Sequence, residues 1–340
     1  MEEFHLPTRL CFGEGALEVL REFCGKTVLL VTDPFFAQNG TAQGLLALCG
    51  GQGQIFSKVQ PDPSLSLVAQ GVQLMNETKP QVLLTLGGGS AIDCAKGMLS
   101  MYKGKPTFVA IPTTSGTGSE VTSFAVLSHE GVKHPLIDPA LRPDLAVLDD
   151  SLLQELPKGL IADAGIDVIA HCVEAVASKK ASPFSQSLAL SAYGTVMELL
   201  PRSFEGDRTV RGRIHCAATM AGMAFDQAGL GACHALSHAL GGQFHVAHGK
   251  LNGILLPHVM ELNRKYAPYE LLGNNPIFAL TRLRRRLGLP DSLHALGLKR
   301  EEVLSKADAL CTAAMADPCN GGNPLPMTTE LYHRLLRDCL

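Results

Sequence analysis

Apolar residues follow two different rhythms along this 340-residue chain. Over roughly the first 150 residues, short continuous apolar runs alternate with stretches of helical spacing. Thr27–Thr32 (TVLLVT), Gln81–Leu86 (QVLLTL), Thr107–Ile111 (TFVAI) and Leu145–Leu148 read as buried strands. Leu65–Glu77 and Ala91–Met101 read as helices between them. This alternation predicts a Rossmann-like parallel sheet covered on both faces. Past about Leu152 the strand-like runs become rare, and Ala-, Leu- and Met-rich stretches take over. Ser185–Leu200, Val210–Phe225 and Leu230–Gln243 predict a helical second domain, with Pro157 suited to the start of its first helix. The expected organisation is an α/β domain over 1–155 and an all-helical domain over 156–340. Arg282–Arg286, a basic cluster on a predicted helix, reads as a solvated face.

Composition restricts the partners. Hydrophobic residues make up 46% and charged residues 18%, which is the balance of a packed globular chain. A net charge of -3 gives no general pull toward nucleic acid or anionic lipid, and neither is expected as a partner. No apolar run reaches the roughly 18 residues that a membrane span needs. The start, Met1–Phe12, carries acids at Glu2 and Glu3 where a secretion signal is basic, so a cytoplasmic location is expected. The ten cysteines, among them Cys11, Cys49, Cys94, Cys216 and Cys339, form no CxxC pair. They read as reduced thiols, and a metal site here is expected to use histidine and carboxylate.

Two small-residue turns follow predicted strands, where an open parallel sheet binds ligands. In Gly87-Gly88-Gly89-Ser90 the glycines allow a phosphate to approach the backbone, and the next helix points its free N–H groups there. Asp93 lies one turn on. The turn is not GxGxxG, and a plain tight turn has the same composition. The second turn, Pro112–Glu120 (PTTSGTGSE), includes Thr113, Thr114 and Thr117 and suits a polar ligand; a solvated loop would look similar. Asp33 closes VLLVTD. It can accept from a ribose hydroxyl and would repel a 2′-phosphate, favouring NAD over NADP, or it can cap a helix before Pro34.

Asp167 and His171 are four apart in IDVIAHCVEA, on one face of a predicted helix. Glu174 follows as a partner for them or as a surface acid. His234, His238, His245 and His248 crowd into CHALSHALGGQFHVAHG. Gly241-Gly242 is expected to end the helix that carries the first two, with His248 returning on a turn. One carboxylate and three imidazoles suit a divalent first-row metal with an open position, and Fe(II) and Zn(II) both fit.

Taken together, the motifs resemble the iron-containing (group III) alcohol dehydrogenases, which have the dehydroquinate-synthase-like fold. The resemblance runs through GEGAL, LLVTD, PDPS, GGGSAIDCAK, IPTTSGTGSEVT, RPDLAVLD, GIDVIAHCVEA, AGLGACHALSHALGG and HGKLNGILLPHV. The stretch MAFDQAGLGACHALSHALGGQFHVAHG is most similar to the 1-propanol dehydrogenase branch of propanediol-utilising microcompartments. The resemblance implies that Asp167, His171, His234 and His248 hold the metal. His238 falls on a position near the substrate and is a candidate proton relay. Asp33, Asp62, Gly89, Ser90, Thr113, Thr114 and Thr122 fall on cofactor-contacting positions, and Lys133 falls where the family has a lysine near the cofactor.

The implied reaction is metal-dependent, NAD-linked interconversion of a short-chain primary alcohol and its aldehyde, such as 1-propanol and propionaldehyde. The resemblance also implies a homodimer, with microcompartment shell or enzyme partners. Against the family pattern the chain looks ~30 residues short after Asn263, where relatives carry more helix, and Asn323-Pro324-Leu325 stands in place of NPR. A lyase of the same fold would need basic residues around a phosphorylated substrate. The helical metal segments offer only Lys250 close by. A non-catalytic microcompartment protein is the remaining alternative, and it rests on the shortened region.

Overall fold

The computed structural model describes residues 3–129 and 132–340; of the two N-terminal acids, Glu2 lies outside them. The chain packs as two compact units, one of His5–Glu155 and one of Leu156–Leu340 with residues 3–4.

In the first unit the elements run β1 (Arg9–Phe12), β2 (Val28–Thr32), α1 (Pro34–Gln38), α2 (Thr41–Leu48) and β3 (Gly53–Phe56). They continue with α3 (Leu65–Thr78), β4 (Val82–Gly87), α4 (Gly89–Met101), β5 (Thr107–Pro112), β6 (Phe124–His129), β7 (Val132–Ile137) and β8 (Leu145–Leu148). Six strands form one sheet in the order β1-β8-β5-β4-β2-β3, and every neighbouring pair is parallel. β6 and β7 form a separate antiparallel pair.

The unbroken apolar runs are explained by burial on both faces. Val28 and Leu30 of β2 pack with Leu20, Leu45, Leu84 and Val109. Leu29 and Val31 point the other way, to Val68, Leu83, Ile92 and Met98. All four expected strands are present. The pattern missed β1 and β3, which lie at the two edges of the sheet, are four residues long and are partly exposed. An edge strand half in water has no continuous apolar run to betray it. The β6–β7 pair was missed as well.

One polar knot ties the hydroxyl-rich loop to α4. Lys96 is completely buried, and its Nζ donates to the Thr122 and Phe124 carbonyls, both at 2.7 Å, and to Thr122 Oγ1 at 3.1 Å. One turn earlier, Asp93 accepts from Ser119 Oγ and from the Val126 N–H, each at 3.0 Å. Burial pushes the Asp93 carboxyl above its ordinary value, against the pull of Lys96.

The second unit is helical: α5 (Lys158–Ala177), α6 (Pro183–Glu205), α7 (Arg211–Ala228), α8 (Ala232–Phe244) and α9 (His248–Asn263). They are followed by α10 (Pro276–Arg286), α11 (Arg300–Ser305), α12 (Ala307–Ala316) and α13 (Thr329–Asp338). α5 is the central helix, buried without interruption from Gly165 to Ala177 and packed against α6, α7 and α9. Two expectations are corrected here. α8 runs through Gly241-Gly242 and stops at His245, which takes a left-handed φ of 53°. The basic cluster on α10 is not wholly solvated, because Arg284 is buried and donates to the Gly253 carbonyl at 3.2 Å. No helix among the described residues is long and apolar enough to cross a membrane.

Replacing Lys96 by Met leaves two buried carbonyls and a hydroxyl without their donor. Lys96→Met is expected to lower stability by about 1–3 kcal/mol, measured by urea unfolding. Unchanged stability would show that the knot does not hold the loop.

Candidate metal centre and nucleotide cradle

In the helical unit three elements converge on one carboxylate. α5 presents Asp167, His171 and Glu174 along one face. α8 presents His234 and His238, and His248 is the first residue of α9, where a turn had been expected. Asp167 Oδ1 lies 3.7 Å from His234 Nε2 and 3.6 Å from His248 Nε2. Asp167, His234 and His248 each offer a ligand atom within 4.8 Å of the others. His171 stands beside this trio and outside its spacing. Its ring stacks on His234 with centroids 4.6 Å apart and on Phe225 at 4.4 Å. Its Nδ1 is buried and has no hydrogen-bond partner.

Close helix packing creates this convergence. A Cβ on Gly249 would run into the Asp163 carbonyl, so only glycine lets the start of α9 meet α5 and bring His248 to Asp167. Glu174 does the same for α8. Its carboxylate accepts from the N–H of Gly231 (2.8 Å), Cys233 (2.7 Å) and His234 (3.4 Å), and from His234 Nδ1 at 2.7 Å. An acid at a helix N-terminus satisfies free N–H groups and complements the dipole. Glu174 is therefore a buried partner of the cluster and not a surface acid.

The charges follow from this arrangement. Burial alone would raise the Asp167 carboxyl, but His171, His248 and His234 hold it well below the usual carboxylate range. Burial pushes His171 down to about 4, so its imidazole is neutral and offers a lone pair at pH 7. For His234 the same burial is outweighed by Asp167 and Glu174, which raise it to about 9. A buried anion ringed by imidazoles, one with an orphaned nitrogen, fits a divalent cation.

His238 lies at the edge of the group. Its ring stacks on His248 with centroids 5.0 Å apart, and its Nδ1 donates to Asp317 Oδ2 at 2.9 Å. His245, the fourth histidine of the stretch, is exposed at the end of α8 and takes no part. The sequence reading missed Asp317, Asn252 and the role of Asn323. Asn252 donates to Asp167 Oδ1 at 2.7 Å. Asn323 accepts from the Ala232 N–H at 3.2 Å, beside the end of α8 that Glu174 caps.

In the α/β unit the two small-residue turns lie against each other. The Thr113 N–H donates to the Gly87 carbonyl at 3.1 Å. A Cβ on Gly88 would come within 3.1 Å of Thr114 Oγ1, and one on Gly89 within 2.7 Å of Thr117 Cγ2. α4 begins at Gly89 with no side-chain cap, so its first N–H groups are uncommitted to a side chain and Ser90 sits inside the first turn. Asp33 Oδ1 caps α1, accepting from the Phe35 and Phe36 N–H groups, while its Oδ2 is turned toward Gly87. Asp62 adopts a left-handed φ of 56° and pairs with Lys133 at 2.7 Å, so Lys133 is not a loose loop lysine. Asp93 and Thr122 have their side-chain oxygens engaged by the protein itself, which makes them supports of the cradle.

The α/β unit matches the family model "Iron-containing alcohol dehydrogenase" over residues 7–150, and the helical unit matches its C-terminal model over 161–340. The chain belongs to the iron-containing alcohol dehydrogenase family. This alcohol dehydrogenase is 40% identical to the 1-propanol dehydrogenase PduQ of Salmonella typhimurium, with 100% of both chains covered. That alignment extends over 370 positions against the 340 residues here, so 30 of its positions have no counterpart in this chain. Among solved structures it resembles the iron-containing alcohol dehydrogenase of Thermococcus thioreducens, with a TM-score of 0.90, 33% identity and 98% and 100% of the two chains covered. A 1,3-propanediol oxidoreductase matches at a TM-score of 0.92 and 30% identity, with 100% of both chains covered.

Gly249→Ala tests the packing that delivers His248. At an unhindered helix position alanine gains up to about 1 kcal/mol over glycine. Here the clash with backbone is expected to reverse the sign and cost about 1–3 kcal/mol. Thermal unfolding measures it, and an equal or higher melting temperature would refute the close-approach explanation.

Proposed function

We propose that this enzyme interconverts a short-chain primary alcohol and its aldehyde, with 1-propanol and propionaldehyde as the reference pair, using NAD(H) and a divalent iron. The observation that carries the reading is the convergence of Asp167, His234 and His248, with His171 stacked beside them and its Nδ1 left without a partner. Asp167, His171, His234 and His248 are the proposed ligands, and Zn(II) suits the same donors. When bound, the cation supplies Lewis acidity to the substrate oxygen and the nicotinamide exchanges a hydride with the carbinol carbon.

The residues do the rest. Glu174 holds the His234 proton on Nδ1, which leaves Nε2 as the donor atom toward the cluster. Asp317 engages Nδ1 of His238, so a proton exchanged with the substrate hydroxyl is handled at Nε2. Gly88, Gly89 and Ser90, with Thr113, Thr114 and Thr117, are proposed to cradle the cofactor phosphates, with Asp93 and Thr122 fixing the loop. Asp62, Lys133 and Asp33 are proposed to line the remainder, Asp33 on the adenosine ribose.

Lys250, the basic residue nearest the cluster in sequence, sits 3.9 Å from Asp163, which argues against a phosphorylated lyase substrate. The similarity to the 1-propanol dehydrogenase supports a small alcohol or aldehyde as substrate. The branch resemblance extends the proposal to a homodimer that works inside a microcompartment.

His248→Ala is expected to remove bound iron and to abolish NADH oxidation with propionaldehyde. Elemental analysis of anaerobically purified protein and a rate assay read the two together, and turnover by a metal-free variant would sink the scheme. Asp33→Asn keeps the α1 cap and removes the charge. It is expected to raise kcat/KM for NADPH relative to NADH by about tenfold, equivalent to ~1.4 kcal/mol; an unchanged ratio would place the ribose elsewhere.

A further inference from the structure

On the reading that Asp167 and His234 are ligands, we propose that Asn252 is a positioning residue, aiming both of them at a divalent first-row cation. Asn252 is completely buried on α9, four residues and therefore one helical turn beyond His248. Its Nδ2 donates to Asp167 Oδ1 at 2.7 Å and approaches His234 Nε2 at 3.2 Å. One amide group thus touches an atom of α5 and an atom of α8 from a helix that also carries a third ligand.

The direction of the amide is fixed from behind. Its Oδ1 accepts from Ser237 Oγ and faces Cys233 Sγ at 3.5 Å, both on α8. Rotating the amide by half a turn would bring its oxygen against the Asp167 carboxylate, two acceptors with no proton between them. The flipped amide would also lose the hydrogen bond from Ser237 Oγ, so that alternative is disfavoured on both sides. The NH2 group therefore faces the ligands.

The consequence for the metal is specific. His234 Nδ1 is taken up by Glu174, which leaves Nε2 as the ring atom that faces Asp167. Glu174 fixes the ring from one side, and Asn252 sets the distance to Asp167 from the other. Asp167 Oδ1 lies 3.7 Å from His234 Nε2 and 3.6 Å from His248 Nε2, and the amide holds that oxygen from α9. Outer partners of this kind typically change metal affinity by about 10–100-fold when removed.

Chelator-stripped full-length enzyme, titrated with Zn(II) and anaerobically with Fe(II) against a chromophoric chelator, tests the proposal. Asn252→Ala is expected to raise the Kd for both metals by about 10–100-fold, with activity recovered at saturating metal and NADH binding by fluorescence unchanged. Ser237→Ala, which frees the back of the amide and touches no ligand, is expected to raise Kd in the same direction by a smaller factor. A purely structural role would lower the melting temperature equally with and without metal and leave Kd unaltered. Wild-type Kd in folded Asn252→Ala overturns the proposal. If that variant does not fold, wild-type Kd in Ser237→Ala overturns it. Failure of the wild-type protein to bind either metal would sink the ligand assignment instead.

Discussion

Glu174 sits buried on α5 with the backbone of Gly231, Cys233 and His234 and the His234 ring all donating to its two oxygens. A buried carboxylate is costly unless such donors surround it. Their presence makes α5 and the start of α8 a single rigid piece. The constraint is sharp enough to dictate composition: a Cβ at Gly231 would stand 2.7 Å from Glu174 Oε1, so the GLGAC turn has no room for a side chain there. His234 then enters the cluster with its ring orientation already fixed through Nδ1. The second rigid contact, Gly249 on Asp163, adds α9 and His248. The distances around Asp167 follow from these two contacts, so the donor set is built by helix packing and does not depend on flexible loops.

The α/β unit solves a different problem with the same economy. A nucleotide needs exposed backbone N–H groups, which a side chain would cover. The glycines at the end of β4 leave those groups open, and the threonines of the facing turn fill the space a Cβ would have taken. Such a loop has little apolar surface to hold it. Lys96 and Asp93 supply the hold from the buried side of α4, binding both ends of the segment from Ser119 to Val126. A buried lysine that donates to two carbonyls and a hydroxyl of this segment is well explained as its anchor.

Much of this was legible in the sequence, for physical reasons that also mark where legibility ended. β2, β4, β5 and β8 were readable because burial on both faces leaves apolar text with no alternation. β1 and β3 were not, because edge strands share neither property. The four proposed ligands were visible as a helical Asp/His pair and a histidine cluster, yet spacing alone did not separate His234 and His248 from His238; the family resemblance did. Gly241-Gly242 misled because glycine propensity is weak against tertiary packing, and α8 is held at one end by Glu174 and along its length by α9 and α12. Asn252, Asp317 and the part played by Asn323 left no periodic trace. Each makes a hydrogen bond to a residue far away in sequence, Ala232 for Asn323, His238 for Asp317 and Asp167 for Asn252.

The departures from the family spare these supports. Asn263, where the shortened region begins, closes a pair of amide hydrogen bonds with Asn323, at 2.8 and 3.0 Å. Asn323 in turn reaches the first N–H of α8 and donates to the Leu325 carbonyl at 2.7 Å. Leu325 stands where the family motif has arginine, but it contributes only a main-chain oxygen, which any residue provides. Arg264, Asn275, Phe278 and Arg282 border a pocket of the helical unit. The joint from Asn263 through Asn323 reaches the first N–H of α8, the helix that carries His234.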